Sequence, residues 1–173
     1  MAVENSSLGL KYIGLGEKLP TGLQETYTEL EDAQIDSASL TETDATYEDI
    51  RIEQKPGIYR RIVTEEGSIV FTVQLYDVSP DNINLLKGGT VTAATETVGK
   101  RWHMSKETVN IQKALKLVTL DDYIIYIPNG FVSALITWNL AKSQLATITL
   151  TITAQDVSDE DLGNVIIEEP LAA

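Results

Sequence analysis

The sequence predicts a mainly β protein, an antiparallel β-sandwich or barrel with one short α-helix at about residues 79–87 and an extended arm at each end. Two stretches, 69–76 and 146–154, alternate apolar and polar side chains, which is the period of a strand with one buried face. Most other apolar runs are short and separated by turn residues. Only one segment carries a complete set of helix start and stop signals.

The N-terminal third is predicted to hold little of the core. Residues 1–32 are interpreted as an arm followed by an acidic loop region, with one short strand at 8–13. Short strands are expected at 35–46, near 50–52 and at 59–64. The turn at 65–67 would then join the strand 59–64 to the strand that begins at Ile69 as a hairpin.

The predicted helix follows that strand directly. Ser79 can accept hydrogen bonds from the free N–H groups of the first turn, and Pro80 suits the first helical position. Gly88 and Gly89 provide the left-handed stop after barely two turns. A helix this short is unstable alone, so Ile83 and its apolar neighbours must pack on the sheet.

The C-terminal half is predicted to contain further antiparallel strands at 90–97, 113–120, 123–127, 131–140 and 146–154. Pro128, Asn129 and Gly130 are interpreted as a tight turn between two of them, and Trp138 as a core residue. The β domain is therefore expected to span residues 33–157, followed by an acidic C-terminal arm at 158–173.

The net charge of −13 is unevenly distributed. Residues 19–50 and 155–173 contain many acids and no Lys or Arg, whereas most bases lie between residues 51 and 116. Because affinity for nucleic acid comes from Lys and Arg that displace phosphate counterions, such a chain should repel DNA overall. A soluble acidic surface and a surface that passes close to DNA without holding it both fit this pattern.

The residue inventory argues against an enzyme. The chain has no cysteine and a single histidine, His103, so it lacks the ligands of a typical zinc site, and no cofactor is expected. Neither a G-x-S-x-G nucleophile elbow nor a G-x-x-x-x-G-K-[ST] loop occurs. Asp121 and Asp122 are interpreted as a hairpin turn, and no apolar run is long enough to span a membrane.

Two segments resemble the major tail tube proteins of bacteriophages. The run EEGSIVFTVQLYDVSPDNINLLKGGTVT is similar to the family's long strand, short helix and Gly-Gly before the next strand. The run KALKLVTLDDYIIYIPNGFVSALITWNLAKSQLATITLTITAQ is similar to its closing hairpins and Thr-rich final strand. The resemblance covers about residues 33–157.

The resemblance implies a structural virion protein assembled in the host cytoplasm. Six β-sandwich copies would form a ring, and stacked rings would enclose a lumen through which the genome passes without specific binding. Partners would be further copies of the chain, a tape measure protein and tail tip or terminator proteins, with no membrane. The candidate lumen-facing residues are Thr147, Thr149, Thr151 and Thr153; the candidate inter-ring contacts are Glu42, Asp44, Glu48, Asp49, Arg101 and Trp102.

Two other functions remain open from the sequence. A bacterial secretion-type tube protein would share the architecture and the self-assembly. A surface-exposed binding module for carbohydrate or a receptor would instead use exposed aromatic side chains, for which Trp102 is the first candidate.

Overall fold

A computed structural model describes residues 6–171, which form a mainly antiparallel β structure with one helix, α1 (Pro80–Lys87). The predicted fold class is confirmed. The strands in chain order are β1 (Tyr12–Glu17), β2 (Thr28–Glu29), β3 (Ser39–Glu42), β4 (Thr46–Ile50), β5 (Arg60–Glu65), β6 (Ile69–Leu75), β7 (Thr90–Thr92), β8 (Arg101–His103), β9 (Ile111–Val118), β10 (Ile124–Thr137), β11 (Thr147–Ala154) and β12 (Ile166–Glu168).

The main sheet has the order β2-β1-β9-β10-β11-β6-β3, with β12 added to β10. Its two outermost strands, β2 and β3, follow each other in the chain. The connection bonds to both sides of the sheet, since the Leu30 N–H donates to Ile13 O at 2.9 Å and Ala33 forms a bridge to Leu75. This connection closes the sheet into a barrel-like shape, which is a common way for antiparallel sheets to limit open edges.

The core lies on the inner face of this sheet. The predicted alternation of β6 and β11 is confirmed, because Phe71, Val73, Ile148 and Leu150 are all buried while their chain neighbours face outward. Helix α1 buries Ile83 and Leu86 against the same core. As the sequence predicts, the Ser79 side chain accepts from Asn82 N, and Gly88 and Gly89 end the helix with φ of 74° and 110°.

Strand β10 differs most from the prediction. The residues Pro128, Asn129 and Gly130 do not form a turn; they lie within one continuous strand of 14 residues. The pairing with β9 shifts register between Ile127 and Gly130, which marks a bulge. A bulge tolerates proline, which lacks the N–H that a regular ladder needs, so the same residues that favour a turn also fit here. Strand β10 is the central strand of the main sheet.

The partner of β5 was also predicted wrongly. Strand β5 pairs with β4 in a separate two-stranded sheet, and β6 pairs instead with β3 and β11. All residues of β4 and β5 are exposed, whereas β6 alternates between buried and half-buried residues. The short turn at 65–67 therefore connects a projecting hairpin to the barrel without extending the barrel sheet.

The barrel extends beyond the predicted limits of 33 and 157. Strand β1 lies inside the sheet beside β9 and buries Ile13 and Leu15 in the core. Its outward positions, Gly14 and Gly16, leave room for the segment that covers them. Strand β12 pairs with the first residues of β10. Part of each predicted arm thus belongs to the barrel, while residues 1–5 and 172–173 lie outside the described residues.

Candidate functional site

The four candidate lumen residues lie on one outward face of the barrel. Thr147, Thr149, Thr151 and Thr153 alternate with the buried Ile148, Leu150 and Ile152, and all four threonines are half-buried. Neighbouring strands continue their row, since Ser133 lies opposite Thr151 on β10 and Thr72 lies opposite it on β6. We call this the hydroxyl face: Ser39, Thr41, Val70, Thr72, Gln74, Phe131, Ser133, Leu135, Thr137, Thr147, Thr149, Thr151 and Thr153.

The hydroxyl face carries no Asp, Glu, Lys, Arg or His side chain on its four strands. This is notable in a chain in which 23% of the residues are charged. The acidic excess of the chain therefore lies outside this face, and the four threonines belong to an uncharged surface. A surface of hydroxyl groups offers neither the Lys and Arg that hold phosphates nor acids that repel them.

The other half of the outward surface is covered by the protein itself. Tyr27 lies over Gly14, where a Cβ would come within 2.8 Å of the Tyr27 side chain. The ammonium of Lys116 lies 5.9 Å from the Tyr27 ring and 5.6 Å from the Tyr126 ring, which is cation–π distance. Partial burial raises the pKa of Tyr27 to about 12. This half is closed by packing, so the hydroxyl face is the open half.

The second notable surface is the hairpin formed by β4 and β5. An isolated two-stranded hairpin is only marginally stable in water, so some stabilising contact is expected. One of its faces provides this from within: Arg61 forms a two-point ion pair with Asp49 at 2.7 and 3.1 Å and lies 5.4 Å from the Tyr47 ring. The hydrogen bond from Arg61 also lowers the pKa of Asp49. The charges of that face are therefore paired within the hairpin, although Tyr47 and Val63 on the same face are 44% and 46% exposed.

The opposite face of the hairpin has two apolar side chains and no ion pair between its described residues. Ile62 lies opposite Glu48, and Ile50 lies opposite Arg60, which places both isoleucines on this second face. Each is 39% exposed. We call the surface formed by Glu48, Ile50, Arg60 and Ile62 the isoleucine face. Isoleucine in a strand usually packs against other side chains, and among the described elements β4 and β5 make extensive contact only with each other.

The acidic residues predicted as inter-ring contacts are grouped around the hairpin. Glu42 ends β3 on the barrel side, and Asp44 lies in the link, where its Oδ1 accepts from Ala45 N at 2.8 Å and from the Tyr47 hydroxyl at 3.2 Å. Glu48 belongs to the isoleucine face, whereas Asp49 is engaged by Arg61 on the other face. Glu42 and Glu48 therefore remain the best placed of the four for contacts outside the chain.

The other two predicted inter-ring contacts, Arg101 and Trp102, lie elsewhere, on β8. The Trp102 indole N–H donates to Gly88 O at 2.8 Å, and its ring packs against the core. The indole approaches so closely that a Cβ at Gly89 would lie 2.8 Å from Nε1. Trp102 thus attaches the β7–β8 hairpin to the end of α1 and is half-buried. Arg101 is exposed beside it and remains a candidate contact.

Sequence reasoning missed the exposed tip between β10 and β11. Trp138, predicted as core, is 58% exposed, and Leu140 and Leu145 in the same loop are also exposed. The apolar run 131–140 is typical of a buried strand and was predicted as one. Asn139 and the polar residues beyond it indicate instead that the strand ends early. The strand in fact ends at Thr137.

Residues 6–171 contain neither a candidate metal site nor a membrane-spanning helix. No group of three or more His, Asp or Glu side chains in that range is arranged to hold a metal ion. The one helix that the described chain contains is too short and too polar to cross a membrane. His103 is exposed, with its Nε2 3.2 Å from the Thr92 hydroxyl.

Comparison of the sequence with protein-family models and with curated proteins gives no match to either. The functional argument therefore depends on the surfaces described above.

Proposed function

We propose that this protein is the subunit of a self-assembled hollow tube, a viral tail tube protein whose stacked rings conduct the genome into the host. The observation that carries the proposal is the β4–β5 hairpin, whose strands contact no other element of residues 6–171 extensively and whose isoleucine face is partly exposed. A projecting hairpin of this kind gains a partner when a second copy binds it. The same surface on every copy would then hold successive rings together.

The hydroxyl face supports the proposal that the tube conducts the genome. In a ring of six copies this face would line the lumen, with Thr147, Thr149, Thr151 and Thr153 along its middle strand. Duplex DNA binds proteins largely through phosphate contacts with Lys and Arg, and this face has none. DNA would therefore pass it without a specific or tight complex. Tape measure and terminator proteins are the further partners that this role requires.

Two other roles are candidates, one of them also a tube and the other a binding module. A secretion-type tube would use the same ring contacts and a different cargo. A carbohydrate- or receptor-binding module is the second candidate from another class, and the exposed Trp138 is the observation that favours it. Trp102 no longer supports that alternative, because its indole is engaged by Gly88 O.

The proposal is tested by sedimentation velocity of the purified full chain over a concentration series. We expect monomer of 19.0 kDa at low concentration and a cooperative change to very large particles as the concentration rises. Duplex DNA added to the monomer should not change its sedimentation at physiological salt, because the overall charge is strongly negative. A chain that stays monomeric at millimolar concentration would contradict the proposal.

A further inference from the structure

The central strand β10 has an open edge. Strand β9 pairs with it only as far as Val132, whereas β11 pairs with it from Gly130 to Thr137. On the β9 side of residues 133–137 no strand is present in the described chain. A groove of about 420 Å³ runs along this edge, between β10, the end of α1 and the segment 104–109. Open edges of this kind can accept a further strand.

The hydrogen bonds of β10 show which backbone groups point into the groove. Gln155 N donates to Asn129 O at 2.8 Å, so the odd-numbered residues of β10 direct their backbone groups toward β11. The alternate residues Ala134 and Ile136 therefore direct theirs to the open side. One of these groups is already engaged, since Lys87 Nζ donates to Ala134 O at 2.9 Å.

A second open edge lies at the opposite end of the same sheet. Strand β3 has four residues and pairs only with β6 among the described strands. The strands β3, β6, β11 and β10 are antiparallel in turn and share the hydroxyl face. A β3 strand placed beside the open edge of β10 would therefore continue the antiparallel pattern. Two unlike edges that fit each other produce head-to-tail contacts, which close into rings.

Charge favours a second copy as the occupant of this edge. Glu42 ends β3, and its place opposite Ile69 puts it on the inner side of the sheet, the side on which α1 lies. In a second copy this exposed carboxylate would enter the groove on the side where Lys87 lies. An ammonium bonds a carboxylate more strongly than it bonds a neutral carbonyl oxygen.

We propose that β3 of a second copy pairs with the open edge of β10, and that Lys87 blocks this edge until Glu42 of that copy binds it. In the free chain, the Lys87 ammonium occupies Ala134 O, which an incoming strand needs. On pairing, the ammonium moves to the carboxylate of Glu42 and releases the carbonyl to the new strand. The inference rests on the proposed function, because it describes how the ring contacts of the tube form.

A charge exchange tests the contact between Lys87 and Glu42. Lys87→Glu and Glu42→Lys should each raise the critical concentration for assembly at least about tenfold, because each places like charges together. The double variant should return to within about threefold of the unchanged chain, as expected for directly coupled residues. Lys142→Glu, at an exposed site in the β10–β11 loop, controls for the change in net charge.

The outcomes separate this inference from the proposed function. Assembly by all variants at equal concentration, or a double variant no better than the singles, would overturn the Lys87–Glu42 contact and leave the tube intact. Failure of the unchanged chain and of every variant to assemble would overturn both. Thermal unfolding of each monomer identifies a variant that has merely lost its fold.

Amide hydrogen exchange gives a readout that needs no substitution. The Ile136 N–H should exchange in the monomer and become protected about tenfold or more in the assembled state. The Leu135 and Thr137 N–H groups should be protected in both states, because they already bond β11. Equal exchange at Ile136 in monomer and assembly would contradict the strand pairing.

Discussion

A chain carrying both Ile50→Thr and Ile62→Thr is expected to stay folded and to lose its capacity to assemble. Threonine keeps the β-branched shape that a strand favours, and both sites are exposed, so the unfolding temperature of the monomer should stay within a degree or two. Because each isoleucine is 39% exposed in the monomer, removing that remaining surface from water at an interface contributes about 0.7 kcal/mol per residue. Losing both should raise the critical concentration for assembly roughly tenfold. Sedimentation velocity measures the fractions of monomer and of assembled particles at each concentration.

The opposite face of the same hairpin provides the matched control. Val63 is 46% exposed and lies opposite Tyr47, on the face that Arg61 and Asp49 already satisfy. Val63→Thr makes a comparable change in polarity and should alter the critical concentration less than about threefold. If Val63→Thr weakens assembly as much as the isoleucine pair, the assigned docking face is wrong. Unchanged assembly of the isoleucine variant would remove the hairpin from the interface altogether.

Phe71→Ala is expected to be the most destabilising of the substitutions considered. Phe71 is 1% exposed and lies between Leu40 of β3 and Ile152 of β11, its cross-strand neighbours on the inner face. Truncating a buried phenylalanine costs about 3–5 kcal/mol, through lost burial and the cavity that remains. In a domain of this size the unfolding temperature should fall by roughly 10 °C or more. Thermal and urea unfolding followed by circular dichroism measure the change.

Phe131→Ala is the natural comparison, because the chain has only two phenylalanines. Phe131 is half-buried on the hydroxyl face, opposite Thr153. Its truncation leaves no enclosed cavity, so the cost should be about 1 kcal/mol. A larger loss of stability at Phe131 than at Phe71 would mean that the inner and outer faces of the sheet have been assigned the wrong way round.

Where a segment's fold is decided by its own residues, the sequence predicted it. The alternation in β6 and β11, the capping by Ser79 and the stop at Gly88 depend on neighbours close in the chain, and all agree with the structure. The hydroxyl row on β11 follows from the same alternation. Four of the thirteen residues of the hydroxyl face were therefore visible as a pattern in one strand.

Features decided by distant residues were harder to predict. Pro128, Asn129 and Gly130 have the chemistry of a turn, yet pairing with β9 on one side and β11 on the other keeps them in a strand. Strand β5 could have paired with either neighbour in the chain, and its own residues favour neither; the structure pairs it with β4. No local pattern marks the open edge of β10, because it depends on where β9 begins.

The most direct test of a hollow tube uses the absence of cysteine from the chain. Ser133→Cys places a single thiol on the hydroxyl face, and Thr64→Cys places one on the exposed hairpin strand β5. In monomer, both thiols should react with a small maleimide and with a bulky polymer-linked maleimide. After assembly, the Ser133→Cys thiol should still react with the small reagent and be shielded from the bulky one. Equal bulky labelling of Ser133→Cys in monomer and assembly would contradict a lumen lined by this face.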